Sequence, residues 1–500
     1  MSLREVLIGL DIGTTSIKAV AYDPTARHVV AVADRPTPTT SPRPGWHDFP
    51  PDKLWATVVN VLHALTTRVR SHHRPAAIGV ASVGEAGLPL DARHRPLYPI
   101  IAWYDPRGTE YVQKWQEELD ARWLYSITGH HTRSLYTAFK LLWLHHHEPD
   151  VMKRMARWAF VGDFIALRLT GKLATAPTLA ARSLLFDVTR REWHPDLLAK
   201  VGLQPSQMPP ILPAGEPVGQ LSPAVARQTG LPAGIPVTVA GHDHPVGMVI
   251  AGVQEPGIIV DSSGTAQAIA AWSSNFVGDA GFEAGLTCYP AAIGPGYLVQ
   301  GGMATAGAAL AWLARLLTQG DVDRLLTLAA QAPPGARGTG CVPFLRGAGT
   351  PYRRSTARAL LYHLDLDHGP AEVARGMVEG LACFLAENVD RIATFLPQPV
   401  KEIRAIGGSN RHPFVLRVKA TMTGYPVRRV EIPEAVGVGA ACVAGLAAGW
   451  WSSPEDLRHR VPLPTETVTP LPEWREIYHR VRQQYAYWVQ ATLGAPGENE

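Results

Sequence analysis

An Asp-x-Gly-Thr-Thr segment near the start of the chain has the composition of a phosphate-binding turn. It lies within Asp11–Lys18, DIGTTSIK, and an apolar run precedes it. A phosphate chain needs backbone N–H groups that point at its oxygens, and only small residues let the backbone come close enough. Gly13, Thr14 and Thr15 meet this need, and Asp11 is placed to hold Mg²⁺ through water. An ordinary hairpin turn is the competing interpretation, since short Gly/Thr turns are common.

A second segment of the same form lies about halfway along the chain. Gly257–Trp272, GIIVDSSGTAQAIAAW, again places Asp, Ser/Thr and Gly between two apolar runs. Its Ser263, Gly264 and Thr265 offer the same donors, so we expect two facing hairpins that grip the phosphates of one nucleotide. The sequence contains neither a GxxxxGKS/T loop nor a GxGxxG after a strand, which disfavours P-loop and Rossmann proteins.

The elements that must position these turns alternate between strands and helices in both halves of the chain. Leu7–Asp23 and Gly257–Trp272 each predict a strand, a tight turn and a second strand. Apolar patterns predict helices at Glu110–Leu124, Phe139–His147, Glu372–Leu396 and Phe414–Met422, and a strand with a glycine turn at Glu402–Gly408. This alternation predicts an α/β protein with two related sheets.

Length and composition set the number of domains and disfavour several classes of protein. At 500 residues with 46% apolar residues, the chain can build two large hydrophobic cores, so we predict two domains. A formal net charge of +4 is small for this length and gives no sign of nucleic-acid binding. The apolar stretch Ala435–Trp451 contains four glycines and is shorter than a membrane span. It predicts a buried helix packed closely against backbone or ligand.

Cysteine usage and the N-terminus favour a cytoplasmic protein. The four cysteines are far apart and show no zinc-site or disulfide spacing. The segment MSLREVLIGLDIG carries Arg4 and Glu5 and has no apolar stretch of a signal peptide.

A series of motifs, in order along nearly the whole chain, resembles the FGGY carbohydrate kinases, the family of glycerol kinase, xylulokinase and gluconokinase within the actin/Hsp70 superfamily. The motifs are DIGTTSIKAV (Asp11–Val20), IIAWYDPRG (Ile100–Gly108), KLLWL (Lys140–Leu144), LTGK with LLFD, VAGHDHPVG (Val239–Gly247), DSSGTA (Asp261–Ala266), AIGGSNRHPF (Ala405–Phe414) and EAVGVGAA (Glu434–Ala441). Their shared order carries the resemblance more than any single motif does.

The resemblance implies an α/β fold of two actin-like (ribonuclease H-like) domains with a nucleotide cleft between them. We expect the N-terminal domain, with the sugar side and the catalytic aspartate, at residues 1–245, the nucleotide-binding C-terminal domain at 246–490 and a tail at 491–500. ATP and Mg²⁺ are the implied cofactors, and a small sugar or polyol is the implied substrate. A homodimer is the default assembly. No nucleic-acid or membrane partner is expected.

The resemblance places the catalytic base at Asp243, in GHDH after a strand and a glycine. A carboxylate there can accept the proton of a hydroxyl whose oxygen attacks the γ-phosphorus. We predict Asp11 and Asp243 as the metal ligands and His244 as a substrate contact. Asp243 could also be the N-cap of a helix that starts near Pro245. A His-Asp-His metal site is disfavoured, because the two histidines would point to different faces of an extended segment.

The predicted nucleotide contacts include a glycine turn. Gly407, Gly408 and Ser409 match the adenosine-binding turn of the family, where a flat base can lie against bare backbone. His412 stands near a polar contact of the family, and Gly307 matches a contact at a helix start. Each glycine is also explained by packing or by an ordinary turn. The full predicted set is Asp11, Gly13, Thr14, Thr15, Lys18, Ser263, Gly264, Thr265, Gly307, Gly407, Gly408, Ser409 and His412.

The predicted substrate wall departs from the better-known relatives. Gly84 and Glu85 stand where glycerol kinase has an Arg-Glu pair and xylulokinase a Met-His pair. A carboxylate there can accept hydroxyl hydrogens, which favours a neutral polyol or sugar over an acid such as gluconate. The missing arginine argues against plain glycerol, and glycine at position 84 would leave room for a larger substrate. Trp103 resembles the aromatic residue that covers substrate carbons, and Asp105 follows it.

We therefore predict phosphoryl transfer from MgATP to a hydroxyl of a small neutral carbohydrate, a ketopentose such as xylulose or ribulose, or a tetritol or pentitol. Two alternatives stay open: an actin- or Hsp70-like ATPase whose output is conformational, and a catalytically silent sugar-binding regulator on the same fold. The run His145–His147 ends a predicted helix, where the helix dipole favours histidines, and we assign it no function.

Overall fold

The structure is a computed structural model that describes residues 3–69, 72–460 and 466–494. The chain divides into two compact units that each combine separate segments. The first unit contains Met1–Ile250, Tyr289–Tyr297 and Ile432–Val461, and the second contains Ala251–Cys288, Leu298–Glu431 and Pro462–Glu500. The domain boundary expected after residue 245 stays a prediction.

A six-stranded mixed sheet forms the centre of the first unit. In spatial order its strands are Gly219–Gln220, Pro236–His242, His73–Ser82, Arg4–Ile12, Ser16–Asp23 and His28–Pro36. The strand Arg4–Ile12 runs antiparallel to Ser16–Asp23, which confirms the predicted hairpin. It runs parallel to His73–Ser82, which in turn runs parallel to Pro236–His242. Parallel neighbours bring the ends of these strands to the same edge of the sheet.

Smaller sheets and a set of helices complete the first unit. A four-stranded sheet has the order Asp48–Phe49, Ile100–Ile101, Gly87–Leu90 and Arg157–Phe160, and Phe186–Asp187 pairs with Glu192–Trp193. The helices are Pro51–Val69, Glu110–Glu118, Ala121–Thr128, Thr137–His147, Pro149–Arg154, Val161–Thr170, Pro177–Ala180, Pro195–Lys200, Pro223–Thr229, Asp243–Val249, Ala435–Ala447 and Pro454–Arg460.

The prediction of one helix over Glu110–Leu124 is wrong. The first helix ends at Glu118, and a second begins at Ala121. The side chain of Asp120 accepts a hydrogen bond from the backbone N–H of Trp123 at 2.7 Å. This N-cap starts a new helix, so the local capping energy overrides the continuous apolar pattern.

The helix Ala435–Ala447 packs on the central sheet of the first unit at very short range. A Cβ atom built on Gly9 would lie 1.7 Å from the carbonyl oxygen of Gly437, and one on Gly79 would lie 2.0 Å from that of Ala440. Only residues without side chains permit this approach of helix to strand. The prediction of a buried helix packed against backbone is confirmed.

A seven-stranded sheet forms the centre of the second unit. In spatial order its strands are Thr287–Pro290, Tyr297–Met303, Gln267–Ser273, Ile258–Ser263, Glu402–Ile406, Val427–Arg429 and Glu466–Val468. The antiparallel pair Ile258–Ser263 and Gln267–Ser273 confirms the second predicted hairpin. A small pair, Gly340–Val342 and Leu360–Tyr362, lies apart from this sheet.

The helices of the second unit are Gly278–Glu283, Gly307–Leu317, Val322–Gln331, Pro370–Ala393, Pro413–Thr423 and Arg475–Gly494. The predicted helices Glu372–Leu396 and Phe414–Met422 are confirmed within a few residues at their ends. The last helix includes the first four residues of the predicted tail at 491–500, and the rest of that tail lies outside the described residues.

Among the described residues, no helix combines the length and the apolarity needed to cross a bilayer.

Candidate active site

The first predicted phosphate turn connects two strands of the first unit and is fixed from outside the turn. The backbone N–H of Gly13 donates to the carbonyl oxygen of Ser16 at 3.1 Å, closing the turn. The hydroxyl of Thr37 donates to the carbonyl oxygen of Gly13 at 2.7 Å, and the N–H of Thr37 donates to that of Thr15 at 3.0 Å. Sequence reasoning missed Thr37, which directly follows the neighbouring strand His28–Pro36.

Asp11 is an incompletely satisfied carboxylate at the base of this turn. Its Oδ1 is buried and has no hydrogen-bond partner among the described residues. Burial, and secondarily the nearby charge of Asp243, raises the pKa of Asp11 to about 8, although Lys18 opposes the shift. An orphaned carboxylate oxygen beside a second carboxylate is the environment in which a divalent cation is favoured.

Lys18 forms an ion pair that sequence reasoning missed. Its Nζ lies 2.7 Å from the carboxylate of Glu434, and both side chains are about 30% exposed. Glu434 immediately precedes the helix Ala435–Ala447 and has a positive φ of 57°. The motif EAVGVGAA thus contributes a charged residue next to the first phosphate turn as well as a packing helix.

Asp243 directly follows the strand Pro236–His242. Gly241 has a φ of 123°, and a Cβ there would lie 2.2 Å from the hydroxyl oxygen of Thr178. That same hydroxyl oxygen accepts a hydrogen bond from the backbone N–H of His242 at 3.1 Å. The close approach at Gly241 therefore fixes the backbone that presents the carboxylate.

Two histidines surround the Asp243 carboxylate. Its Oδ1 lies 3.1 Å from Nε2 of His242 and accepts a hydrogen bond from the backbone N–H of His244 at 2.6 Å. Burial opposes the charge of Asp243, but the charges of His244 and His242 and their hydrogen bonds outweigh burial and lower its pKa to about 2. Asp243 is the first residue of the helix Asp243–Val249, and His242 occupies the N-cap position. The interpretation of Asp243 as the N-cap is therefore wrong.

The predicted substrate wall contains a buried ion pair. Glu85 is 4% exposed, and its Oε1 accepts from Nε of Arg182 at 2.7 Å and from Nη2 of the same guanidinium. Glu85 also has a φ of 59°, a conformation that bulky residues adopt only where the surroundings enforce it. Sequence reasoning missed Arg182, although a buried carboxylate generally requires a partner cation.

Aromatic rings extend this pair into a cluster within the first unit. The guanidinium of Arg182 lies 5.0 Å from the ring centroid of Tyr136. The hydroxyl of Tyr136 is 3.1 Å from Nδ1 of His130, and His130 stacks on Tyr289 with a centroid distance of 5.6 Å. The cluster holds the charged pair in one orientation.

The interpretation that Gly84 leaves room for a larger substrate is wrong. A Cβ at this position would lie 3.0 Å from Cγ of Arg182 and 3.1 Å from Cδ2 of His242. The space beside Gly84 is thus filled by the two side chains that accompany Glu85 and Asp243. The small size of Gly84 allows the Glu85–Arg182 pair and the Asp243–His242 pair to lie close to each other.

Trp103 and Asp105 have different surroundings. Trp103 is 36% exposed, and its ring N–H donates to the hydroxyl of Thr14 at 2.8 Å. Asp105 is 3% exposed, and its Oδ2 accepts from the backbone N–H of His47 at 2.6 Å and from Nη2 of Arg107 at 2.8 Å. The contacts of Asp105 indicate that it fixes the loop that carries Trp103.

In the second unit, the turn after Ile258–Ser263 presents exposed backbone but not every predicted side chain. Gly264 and Thr265 are exposed. The hydroxyl of Ser263 is buried, donates to Asp261 at 2.7 Å and lies 3.1 Å from Nζ of Lys419. Asp261 and Lys419 form a buried pair at 2.5 Å, so the Ser263 hydroxyl belongs to an internal network.

The glycine residues of the second unit converge on this turn. A Cβ on Gly307 would lie 2.4 Å from the carbonyl oxygen of Gly264 and 2.8 Å from the Ser409 hydroxyl, and one on Gly407 would lie 2.5 Å from the carbonyl oxygen of Ser263. A Cβ on Gly408 would meet open space. The structure therefore places the predicted turns side by side within the unit.

His412 begins the helix that follows this glycine turn. Its Nδ1 accepts a hydrogen bond from the backbone N–H of Phe414 at 3.2 Å, so the side chain is the N-cap of Pro413–Thr423. Burial lowers the pKa of His412. Because Nδ1 is used for capping, only Nε2 of His412 could form a hydrogen bond with a nucleotide.

Comparison with known proteins matches both halves of the chain to one family. Residues 6–249 match the N-terminal domain, and residues 262–448 the C-terminal domain, of the FGGY family of carbohydrate kinases. Xylulose kinase of Escherichia coli (strain K12) is 29% identical over 486 residues, covering 95% of this chain and 98% of that protein. L-fuculokinase of the same organism is 28% identical over 471 residues, covering 92% of this chain and 96% of that protein.

The solved structure of xylulose kinase from Rhodospirillum rubrum superimposes with a TM-score of 0.89 at 30% identity, covering 98% of this chain and 99% of that one. A gluconate kinase from Lactobacillus acidophilus shares the fold, with a TM-score of 0.90 at 23% identity over 99% of both chains. These matches confirm the α/β fold of two actin-like domains. The chain belongs to the FGGY family of carbohydrate kinases and is an ATP-dependent kinase that phosphorylates a sugar hydroxyl.

Proposed function

We propose that the substrate is a small neutral sugar or polyol, a ketopentose such as xylulose or ribulose or a tetritol or pentitol, and that Asp243 is the catalytic base. One observation carries the proposal: the side chains of His242, the partner of Asp243, and of Arg182, the partner of Glu85, both lie next to Gly84. A candidate base and a candidate hydroxyl-recognising pair are therefore neighbours within one unit.

In the proposed reaction, Asp243 accepts the proton of the substrate hydroxyl as its oxygen bonds to the γ-phosphorus of ATP. The bond from that phosphorus to the bridging oxygen of the β-phosphate breaks, and ADP leaves with the electron pair. The low pKa of Asp243 keeps it ionised and ready to accept a hydrogen bond from the hydroxyl. His242 and the backbone N–H of His244 hold the carboxylate in place, because both bond its Oδ1.

The pair of Glu85 and Arg182 supports a neutral substrate. A carboxylate next to a guanidinium presents acceptors and donors side by side, which matches two adjacent hydroxyl groups. The pair has no net charge, so a neutral polyol adds no uncompensated charge to a buried wall. An acid substrate would instead compete with Glu85 for Arg182. Trp103 provides an aromatic surface for substrate carbons, and His244 is the proposed additional contact.

The residues of the first unit fit a bound Mg²⁺. Asp11 combines an orphaned buried oxygen with a raised pKa, and Asp243 is the nearby carboxylate that raises it further. We propose that these two carboxylates hold the ion, mostly through water. When bound, Mg²⁺ neutralises charge on the phosphates of ATP.

The remaining proposed contacts are to the nucleotide. In the first unit, Gly13, Thr14 and Thr15 offer donors to phosphate, and Lys18 adds positive charge. In the second unit, the exposed backbone of Gly264 and Thr265 offers a further set of donors, while Ser263 acts by holding that turn. The proposed base-binding turn of the second unit comprises Gly407, Gly408 and Ser409, flanked by Gly307 and His412. The open space beside Gly408 supports this assignment.

A coupled assay of ADP release tests the proposal against its alternatives. The acceptors are xylulose, ribulose, erythritol, xylitol, glycerol and gluconate, each with MgATP. We expect ADP release that depends on a ketopentose or polyol, and phosphorylated product in equal amount. Equal ADP release without any acceptor would favour a conformational ATPase. Sugar binding without ADP release would favour a silent regulator, and stimulation by gluconate alone would contradict the role of Glu85.

A cytoplasmic location and a homodimer, both expected from the sequence, stay predictions. Light scattering of the purified protein at several concentrations measures the assembly directly.

A further inference from the structure

Lys419 contacts both of the turns that are proposed to bind the nucleotide in the second unit. It lies on the helix Pro413–Thr423 and is 5% exposed. Its Nζ lies 2.5 Å from Oδ2 of Asp261, and it donates to the Ser263 hydroxyl at 3.1 Å and to Oδ1 of Asn410 at 2.7 Å. An ammonium group has three hydrogens, so these three bonds use its full capacity as a donor.

Asp261 connects this network to the proposed phosphate turn. The residue is fully buried, and its Oδ1 accepts from the Ser263 hydroxyl at 2.7 Å and from Nε2 of Gln267 at 2.8 Å. Ser263 precedes the exposed backbone of residues 264–265, and Gln267 follows it. Both sides of the turn are therefore bonded to one carboxylate, and Lys419 fixes the other oxygen of that carboxylate.

Asn410 extends the network to the proposed base-binding turn, which it directly follows in the chain. Its buried Nδ2 donates to the backbone carbonyl oxygens of Ile406 at 2.8 Å and of Asp261 at 3.3 Å. Ile406 and Asp261 belong to two adjacent parallel strands of the seven-stranded sheet. The network thus spans the ends of the two strands that lead into the two turns.

The geometry of this network matters more for position than for stability. A buried ion pair contributes little net stability, because the cost of removing two charges from water offsets their attraction. A buried network of directed hydrogen bonds does, however, make its members rigid. A rigid site loses less entropy on binding, and phosphoryl transfer depends mainly on how the phosphates are positioned. A network between two ligand-binding turns therefore controls how well one ligand fits both.

We propose that Lys419 is a positioning residue for ATP. Through Asp261 and Asn410 it holds the two turns of the second unit at the separation at which one nucleotide contacts both. Lys419 makes no hydrogen bond to the nucleotide itself, because its three hydrogens are used within the network. The inference rests on the nucleotide contacts proposed for the second unit and adds a residue that lies outside all the sequence motifs.

The test compares a ligand that needs both turns with one that needs a single turn. Lys419→Met/Asp261→Leu removes both charges together, so no lone charge is buried. Calorimetric titration measures the binding of ADP, which requires both turns, and of adenosine, which requires only the base-binding turn. We expect the affinity for ADP to fall about tenfold, the equivalent of about 1.4 kcal/mol, and that for adenosine to stay within about twofold. The KM for MgATP should rise by a similar factor, with the KM for sugar unchanged.

Arg375→Met/Glu379→Leu is the matched control. This pair is also buried in the second unit, at 2.7 Å, and its further hydrogen bonds join Ala332, Gly335 and Tyr478. We expect this variant to change the ratio of ADP affinity to adenosine affinity by less than about twofold, whatever its effect on Tm. A purely structural role of Lys419 would give both double variants the same ratio, and that result would overturn the proposal.

Asn410→Ala provides a second test that does not depend on the folding of the double variant. It leaves the ion pair in place and removes the bonds that connect the two turns. We expect the affinity for ADP to fall about 3- to 5-fold and the affinity for adenosine to stay the same. A parental ratio of the two affinities in this variant would contradict the positioning role.

Gly408→Val separates a failure of this inference from a failure of the nucleotide site. A Cβ at Gly408 meets open space, which is the proposed place of the base, so valine should weaken the binding of both ligands at least about tenfold. If it does so while Lys419→Met/Asp261→Leu and Asn410→Ala keep the parental ratio, the site stands and the role of Lys419 is wrong. Unchanged binding by Gly408→Val would overturn the proposed nucleotide contacts and this inference together.

Discussion

The indole N–H of Trp103 donates a hydrogen bond to the hydroxyl of Thr14 at 2.8 Å. This bond joins the aromatic residue proposed for the sugar side to the first phosphate turn. The two residues are 89 positions apart in the chain. The indole therefore has two proposed roles, a surface for substrate carbons and an anchor for a phosphate-binding hydroxyl.

Trp103→Phe separates these two roles, because it keeps an aromatic surface and removes the donor. We expect the KM for MgATP to rise about 3- to 10-fold, as for one lost hydrogen bond, with a smaller change in the KM for sugar. Trp103→Ala should raise the KM for sugar as well. Thr14→Val is the matched variant, and the double variant Trp103→Phe/Thr14→Val should bind MgATP little worse than Thr14→Val alone. Fully additive effects in steady-state kinetics would show that the bond is not functional.

The buried pair of Glu85 and Arg182 gives a second prediction. Arg182→Met leaves a buried carboxylate without its cation, so we expect a loss of stability of about 3–5 kcal/mol. The double variant Arg182→Met/Glu85→Leu should recover most of that stability, because it buries no lone charge. It should not recover sugar phosphorylation. Calorimetric melting and the ADP assay measure the two properties separately, and recovery of activity by the double variant would exclude the pair from substrate recognition.

Asp243→Asn tests the proposed base with the least change of shape. We expect kcat to fall about 10²- to 10⁴-fold, the usual contribution of general base catalysis, while the affinity for ADP in calorimetry stays close to that of the parent protein. His242→Gln should lower kcat less, since it removes one support of the carboxylate and leaves the base. An Asp243→Asn protein with parental kcat would assign the proton transfer to another group.

The close contact between Gly9 and Gly437 predicts that a substitution at Gly9 lowers the stability of the fold. Neither residue belongs to the candidate active site. Gly9→Ala would place a methyl group 1.7 Å from the carbonyl oxygen of Gly437, so helix and strand must separate. We expect a destabilisation of about 3 kcal/mol or more, at the upper end for overpacking. At Gly369 a Cβ meets only the Glu372 side chain, 3.5 Å away. Gly369→Ala is therefore the control, and an equal shift of Tm in both variants would contradict the close contact.

Lys140 predicts a pH dependence of stability. It is fully buried, and burial lowers its pKa from 10.5 to about 8, although Glu85 and Asp105 oppose the shift and Arg107 reinforces it. Between these two pH values the unfolded chain binds more protons at this residue than the folded chain does. The free energy of unfolding should therefore rise with pH from about 8 to 10.5.

Lys140→Met is the comparison, because methionine removes the titrating group. The parent protein should gain stability relative to this variant as the pH rises through that window. Denaturant unfolding at several pH values measures the difference. A constant difference would show that Lys140 keeps an ordinary pKa.

The two hairpins, the α/β class and the family could all be predicted from the amino-acid sequence. Each hairpin is encoded locally, because apolar runs on both sides of a Gly/Thr turn have the pattern of two strands joined by a tight turn. The same is true of most long helices, including Pro370–Ala393. The small residues of Ala435–Trp451 predicted close backbone packing, and a Cβ on Gly9 or Gly79 would indeed meet helix backbone.

Which charged groups form pairs became visible only in the folded chain. The partners of Glu85 and Lys18, namely Arg182 and Glu434, are 97 and 416 positions away in sequence, so no spacing rule connects them. The glycine at position 84 predicts space for substrate, but side chains from distant parts of the sequence fill that space. The one predicted helix at Glu110–Leu124 became two because a single cap at Asp120 outweighed the periodic pattern. Helices and hairpins follow from local sequence patterns, because their hydrogen bonds join residues that are close in sequence. A buried charge, in contrast, needs a partner of opposite charge, and the fold brings that partner from a distant part of the chain.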